Sequence, residues 1–180
     1  MYILTTFMFL IIMISQSFSE VIYKDDFTNP EKWIFVSDKV MGGISSGQVI
    51  FNSKDDETFA YISGNVSTKN NGGFIQIRKK LSNINLKKAK FIKIIVKGNN
   101  QKYFIHLRTS GTILPWQYYQ LGFNVEKEFK EIKLPISEFK RSGSFLAEIV
   151  NPKSITSIGL VAFGRDHTAE LFIKSIEFIE

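Results

Sequence analysis

Short apolar or alternating runs recur from residue 21 almost to the end of the chain, and turn residues separate them. These runs predict β-strands at residues 21–27, 33–36, 48–52, 59–66, 74–78, 91–97, 103–108, 118–125, 131–134, 154–162 and 171–178. Helical periodicity is nearly absent, with single turns predicted at residues 136–140 and 86–89. Many short strands at this spacing are typical of two stacked antiparallel sheets. The sequence therefore predicts an all-β fold, an antiparallel β-sandwich.

The first 19 residues form a segment with a different composition. They carry no charged side chain, residues 7–14 are continuously apolar, and Ser17 and Ser19 place small side chains where a signal peptidase requires them. We therefore predict a signal peptide at residues 1–19, a single β-sandwich domain at residues 20–180, and export to the periplasm or the exterior. No Lys or Arg precedes the apolar run, so an uncleaved anchor is the alternative, and we expect membrane association only in that case.

Composition excludes several classes of site. The chain has no cysteine, which excludes a disulfide scaffold, a thiol nucleophile and a cysteine-ligated metal. The two histidines lie far apart in sequence, so we expect no metal centre and no cofactor. The formal charge is +6, but the lysines are scattered rather than clustered, and we expect no nucleic-acid partner.

One serine motif has the letters of a hydrolase nucleophile turn. Residues 43–47 read Gly-Ile-Ser-Ser-Gly, with Ser45 at the centre. A nucleophile turn of this kind requires a helix directly after the serine, whereas residues 48–51 alternate like a strand. Asp166 and His167 are sequence neighbours, which is a poor arrangement for a carboxylate that orients a histidine. We therefore predict that the chain is not an enzyme.

Two glycine-rich segments supply the first group of candidate binding residues. Their glycines allow close approach of the backbone to another group, which could be the neighbouring chain or a ligand. The candidates in these segments are Trp33, Asp38, Met41, Gly42, Gly43, Ser45, Asn71, Gly72 and Gly73.

Two predicted strands supply the second group. Strand alternation places Arg78 on one face with Phe74 and Gln76, and it places His106 and Arg108 on one face with Phe104. Guanidinium groups suit fixed, bidentate recognition of carboxylates, sugar hydroxyls or backbone carbonyls. Trp116 and Tyr118 follow after a short loop and could add stacking surface. The alternatives are aromatic residues in the core and a solvated outer sheet face.

Local charge runs have simpler interpretations. Asp25 and Asp26 are expected to be solvated loop acids, with a structural calcium ion as the alternative. The basic run at residues 78–80 includes lysines of the kind that protect strand margins and keep a protein soluble.

The same segments resemble a known family. The run from Trp33 to Ser45, the segments 64–67 and 70–74 with Arg78, and the later segments 96–98, 134–135 and 158–160 are similar to the complex I intermediate-associated protein 30 family. The similarity extends from Val21 to about Ile179.

This resemblance implies a galactose-binding-like jelly roll and a non-catalytic, chaperone-like role in the assembly of respiratory NADH:ubiquinone oxidoreductase. The partner would be a protein, and respiratory complex I subunits are candidates. The apparent leader differs from an Arg-rich organelle transit peptide. An exported carbohydrate-binding module that holds a glycan on the arginine-bearing face is the alternative function.

Overall fold

The computed structural model describes residues 19–54 and 57–180, and strands make up more than half of that part. The predicted signal peptide lies outside the described residues except for Ser19. The strands are β1 (Val21–Asp25), β2 (Trp33–Ser37), β3 (Ser46–Lys54), β4 (Glu57–Val66), β5 (Phe74–Lys80), β6 (Phe91–Gly98), β7 (Lys102–Thr109), β8 (Tyr119–Asn124), β9 (Lys130–Pro135), β10 (Lys140–Arg141), β11 (Ile155–Phe163) and β12 (His167–Ile179).

The strands form two antiparallel sheets. The first has the order β3-β4-β12-β6-β9, and β1 pairs with the C-terminal part of β12. The second has the order β10-β8-β7-β11-β5-β2. Short 3₁₀ turns connect several strands, at Pro30–Lys32, Asp38–Met41, Lys69–Asn71, Ile136–Glu138 and Pro152–Ser154. The predicted fold class, an antiparallel β-sandwich, is confirmed.

The core lies between the two sheets, and side chains from both contribute to it. Ile62, Ile94 and Ile173 come from the first sheet, and Ile77 and Ile105 from the second, all almost completely buried. Burial of this apolar surface is the main favourable contribution to folding. The inward and outward positions follow strand alternation, because successive side chains of a strand point to opposite faces.

This alternation fixes the orientation of the two arginine-bearing strands. In β5 every second residue is buried, which leaves Phe74, Gln76 and Arg78 on the outer face. In β7 the buried positions likewise alternate with Phe104, His106 and Arg108. The predicted orientations of both strands are confirmed.

Two strand ends differ from the prediction. At one end a side chain interrupts the backbone pairing, and at the other a distant strand extends it. β1 ends at Asp25 rather than residue 27, because Phe27 has a φ of 64° and its N–H bonds to Asp25 Oδ1 at 3.0 Å. β12 begins at His167 rather than residue 171, because its first residues pair with β4. Within the described residues no helix has the length and apolar content needed to cross a membrane.

The interpretation of Asp25 as a solvated acid is wrong. Asp25 is buried, and Lys79 forms an ion pair with its Oδ2. Tyr23 donates to the same oxygen at 2.9 Å. Burial lowers the pKa of the Lys79 amine, but its bonds to Asp25 and Tyr23 outweigh this and raise the pKa above its usual value. Lys79 is therefore a buried link between β1 and β5, not a solvated strand margin, and its ammonium group occupies the cation position beside Asp25.

Candidate functional site

The first group of candidate residues surrounds Asp38, whose side chain is completely buried. Asp38 Oδ1 accepts a hydrogen bond from Ser45 N at 2.9 Å. Its Oδ2 accepts bonds from the Ser45 hydroxyl, from Gly73 N at 2.6 Å and from Phe74 N at 3.3 Å. Burial raises the pKa of the Asp38 carboxyl group, but these bonds outweigh it and hold the pKa below its usual value. One carboxylate thus joins two loops that lie 35 residues apart along the chain.

The glycines of both segments make room for this carboxylate. A Cβ atom added at Gly43 or at Gly72 would overlap the Asp38 carboxyl group. Gly42 ends the 3₁₀ turn with a φ of 89°, a conformation that side chains with a Cβ rarely adopt. The close approach predicted for these glycines therefore occurs within the chain itself. We call Asp38, Gly43, Ser45, Gly72 and Gly73 the Asp38 cluster.

The remaining residues of the first group lie in different environments, and Trp33 lies at the other end of β2 from this cluster, where it pairs with Lys79 of β5. Trp33 is buried, and its ring packs against Phe27 with a centroid distance of 5.2 Å. Met41 and Asn71 are exposed near the tips of the two loops. The contacts of the buried members are internal, and a binding role for the group stays a prediction. What the geometry shows is that the Asp38 cluster fixes the start of β5, the strand that carries Arg78.

The second group lies together on the outer face of the second sheet. Gly159 of β11 pairs with Arg78 of β5 on one side and with His106 of β7 on the other. Two residues earlier, Ser157 pairs with Arg108. The small side chains of β11 therefore form the floor of a trench between two rows of longer side chains. The trench holds a cavity of about 40 Å³, lined by Gln76, Arg78, His106, Arg108, Pro115, Gln117, Tyr118, Ser157 and Gly159.

A loop at residues 112–118, which we call the lip loop, closes one side of the trench. Arg108 donates hydrogen bonds to the carbonyl oxygens of Thr112 at 3.2 Å, Leu114 at 2.9 Å and Pro115 at 3.3 Å. The side-chain oxygen of Gln117 accepts bonds from two backbone N–H groups of the same loop, at 2.8 and 2.9 Å. Trp116 remains 64% exposed on this loop. The lip loop is therefore held by hydrogen bonds from side chains of the same chain.

His106 is enclosed by aromatic rings. The ring of Tyr118 stacks on it with a centroid distance of 4.1 Å and an interplanar angle of 9°, and the Phe163 ring lies at 71° to it with a centroid distance of 5.4 Å. Burial lowers the pKa of His106 to about 4, and an opposing interaction with Gln120 is smaller. His106 is therefore neutral at physiological pH. In the part of the chain that the structure describes, its Nε2 atom has no hydrogen-bond partner.

The arginines of this face lack acidic partners. Across residues 19–54 and 57–180, Arg78 has neither a hydrogen bond nor an ion pair, and Arg108 bonds only to carbonyl oxygens. Burial lowers the pKa of Arg108, and the nearby charge of Arg78 lowers it further. We call this surface, with Arg78, His106, Arg108 and the lip loop, the arginine face.

The outer face of the first sheet has a different charge pattern. There Lys93 of β6 forms ion pairs with Glu177 at 2.8 Å and with Glu131 at 3.6 Å. The described strands of the second sheet direct Lys80, Lys102 and Lys140 outward on the same face as the two arginines, and none of these strands directs a carboxylate outward. The described strands of the arginine face therefore carry positive charge that no carboxylate on the same strands compensates.

The serine motif does not form a nucleophile turn. Ser45 is buried and donates to Asp38, and strand β3 begins at the next residue. Asp166 accepts bonds from Thr68, and His167 places Nδ1 2.8 Å from the Arg165 carbonyl oxygen. In the described part of the chain, no group of three metal-ligating side chains is present either.

Comparison with known families identifies the chain. The model of the family described as "Complex I intermediate-associated protein 30" matches residues 23–173. This chain belongs to that family. The predicted resemblance is thus confirmed over most of the sequence. Comparison with curated protein sequences gives no match.

Solved structures with a similar fold include carbohydrate-binding modules. A family 11 module from Clostridium thermocellum, in complex with a mixed-linked tetrasaccharide, matches with a TM-score of 0.71 and 16% identity over 89% of this chain and 95% of that one. The family 11 module of a cellulosomal cellulase from the same organism has a TM-score of 0.70 and 14% identity over 90% and 95% of the two chains. A family 30 carbohydrate-binding module matches with a TM-score of 0.53 and 9% identity over 74% of this chain and 73% of that one. At such low identities these similarities show a shared fold.

Proposed function

We propose that this chain is a non-catalytic, chaperone-like protein-binding module of the complex I assembly type, and that it holds its partner on the arginine face. The observation that carries the proposal is the guanidinium of Arg78, which has no partner within the described residues and lines the same trench as Arg108. Arginine is enriched at protein interfaces because its planar group makes several directed hydrogen bonds.

The construction of this surface favours binding without large rearrangement. Arg108 already holds the lip loop, and the Asp38 cluster already fixes the start of β5. Ordering side chains and loops on association costs free energy, so a surface that is ordered beforehand binds more tightly. In this proposal the residues of the Asp38 cluster position the binding surface, and Arg78, Arg108, Trp116 and Tyr118 contact the partner.

The proposed partners are subunits of respiratory NADH:ubiquinone oxidoreductase, in line with the family. We also propose that the mature protein is exported through its leader. Identification of the mature N-terminus in fractionated cells tests export: a chain that begins near residue 20 in an exported fraction supports it, and an intact leader contradicts it. An exported chain would lie outside the compartment where the peripheral arm of that enzyme is built, so compartment and partner are best determined together.

The partner is tested by co-purification with the tagged full chain. We expect respiratory subunits to be recovered with the wild type and to be lost with Arg78→Gln, because that change removes a guanidinium that has no hydrogen bond or ion pair within the described residues. Lys80→Gln is the matched control, since it removes one positive charge from the same strand face. Equal recovery with wild type and Arg78→Gln would count against the arginine face.

A carbohydrate-binding module is the second candidate function. The observation that favours it is the exposed ring of Trp116 on the lip loop, whose residues Pro115 and Tyr118 line the trench together with the two arginines. Aromatic rings and guanidinium groups both contact sugars. The similar fold of modules that bind glycans is consistent with it. On a glycan array this function predicts binding that weakens in Trp116→Ala, and a blank array at millimolar glycan would remove it.

A further inference from the structure

The trench of the arginine face is a small concavity in the outer surface of the second sheet. Its cavity of about 40 Å³ exceeds the roughly 10–15 Å³ that one water molecule requires, so it admits a group of a few atoms such as a carboxylate. The walls rise from β5 and β7, and the floor is formed by Ser157 and Gly159. The trench can therefore receive a single side-chain group from outside the sheet.

The unused hydrogen-bond donors at the trench are suited to an anion. Arg108 directs three N–H groups to lip-loop carbonyls, which leaves two of the five N–H groups of a guanidinium. Within the described residues Arg78 has all of its donors free. Arg78 on β5 and Arg108 on β7 therefore present donors from both sides of the trench.

The charges around the trench also favour binding of an anion. Two guanidinium groups that lie close enough to lower a pKa repel each other, and a bound anion would relieve this repulsion. The described strands of the second sheet place no carboxylate on this face to do so. Carboxylates and guanidinium groups form paired, charge-assisted hydrogen bonds of matching planar geometry.

We infer that Arg78 and Arg108 form a carboxylate-binding subsite that receives a Glu or Asp side chain of an acidic segment in the protein partner. The inference rests on the proposed function, since it names the chemistry by which that same face recognises its partner. It assigns Arg78 the larger share of binding, because Arg108 is already engaged with the lip loop.

The chain offers a direct probe of this subsite. It contains only four arginines, Arg78, Arg108, Arg141 and Arg165, so the Nε–H signals of ¹⁵N-labelled protein are few. Arg141 bonds to the carbonyl oxygens of Ser144 and Leu146, and Arg165 bonds to Gln101, so these two serve as internal references. The probe is a capped peptide in which three glutamates alternate with glycines, and the control peptide has glutamines in their place.

With the glutamate peptide we expect the Nε–H signals of Arg78 and Arg108 to shift while those of Arg141 and Arg165 stay in place. The glutamine peptide should leave all four unchanged. Arg78→Gln should weaken binding about tenfold or more, as expected for loss of a hydrogen bond to a charged group. Lys80→Gln removes the same charge from the same strand face and should weaken binding about twofold or less, as for an exposed charge.

Several results would overturn the subsite. If Arg78→Gln and Lys80→Gln weaken peptide binding equally, the peptide is held by diffuse attraction between charges and not by a subsite. Shifts of all four arginine signals would lead to the same conclusion. Binding of trigalacturonate without binding of the glutamate peptide would assign the trench to acidic sugars instead. No shift at millimolar peptide would remove the subsite.

The peptide and co-purification experiments together distinguish a failure of the carboxylate subsite from a failure of the proposed function. If respiratory subunits fail to co-purify but the synthetic peptide binds through Arg78, the subsite stands and that partner is wrong. If co-purification depends on Arg78 but the glutamate peptide causes no shift, the partner is held through other groups, the proposed function stands, and the carboxylate inference is wrong.

Discussion

Asp38 and Arg78 are charged residues in two contrasting environments of the same β-sandwich. The Asp38 carboxylate is buried and accepts four hydrogen bonds from its own chain. The Arg78 guanidinium is half-buried on the outer face of β5 and has no partner within the described residues. Hydrogen bonds from its own chain offset the cost of burying the Asp38 charge, whereas a charge left unbonded at a trench is available to another molecule. The difference separates residues that build the surface from residues that use it.

The largest expected effect is the loss of stability in Asp38→Ala. This change leaves the backbone N–H groups of Ser45, Gly73 and Phe74 without their acceptor, and we expect a loss of about 3 kcal/mol or more in the free energy of unfolding. Urea denaturation measures it. Asp166→Ala is the matched control, because Asp166 also accepts two bonds but lies on the surface, and its loss should be much smaller. Equal losses would end the structural role of Asp38.

A smaller effect is expected from Gly43→Ala. The added Cβ atom would overlap the Asp38 carboxyl group, so the loop must shift, and overpacking of this kind costs about 1–3 kcal/mol. Gly143→Ala is the control, since nothing lies within 4 Å of the Cβ added there and its φ is not positive. Denaturation curves that coincide for the two variants would contradict the close packing of the Asp38 cluster.

The buried His106 makes the stability of the folded chain depend on pH. Its pKa in the folded chain is about 4, below the usual 6.5, so the unfolded chain takes up the proton first as the pH falls. Stability is therefore lost as the pH falls from about 6.5 towards 4. His106→Gln should flatten this part of the stability profile. His167, whose pKa burial also lowers, remains in the variant and accounts for a residual slope. An unchanged profile in His106→Gln would show that His106 is not enclosed in solution.

The smallest effects on stability separate the two arginines. Arg108→Gln should cost about 1 kcal/mol, because the lip-loop carbonyls lose their donor. Arg78→Gln should change stability by no more than about 0.5 kcal/mol, because within residues 19–54 and 57–180 it breaks no hydrogen bond or ion pair. Thermal unfolding of both variants measures the difference. A large loss in Arg78→Gln would mean that Arg78 has a structural partner, and the comparison with Asp38 would fail.

The strands and their faces could be predicted from the sequence because alternation is a local property. The orientations of Phe74, Gln76 and Arg78 followed from the pleat alone. The ends of β1 and β12 could not be predicted in the same way, since an aspartate side chain and pairing with a distant strand set them.

The hydrogen-bond and ion-pair partners of the charged residues could not be predicted from local sequence patterns. The glycines near Asp38 indicated close approach, but only the folded chain shows that Gly73, from a later loop, supplies a donor to Asp38. Lys79 looked like part of a surface run, while its partner Asp25 is 54 residues away. These pairings depend on tertiary structure.

The candidate site was partly predictable for a similar reason. Arg78 and Arg108 were identified because arginine is rare in this lysine-rich chain and because alternation places both on outer faces. Ser157 and Gly159 were missed as the trench floor, since their role depends on β11 lying between β5 and β7. The glycine in the middle of a strand run was the available signal, because such glycines often mark close approach.

The central claim, that the arginine face is the binding surface, is tested most directly by hydrogen–deuterium exchange on the complex isolated from cells. Compared with the free full chain, we predict slower exchange of the lip-loop amides at residues 112–118 and unchanged exchange at residues 38–45. Unchanged lip-loop exchange, with slower exchange at residues 38–45 or on the outer face of the first sheet, would contradict it.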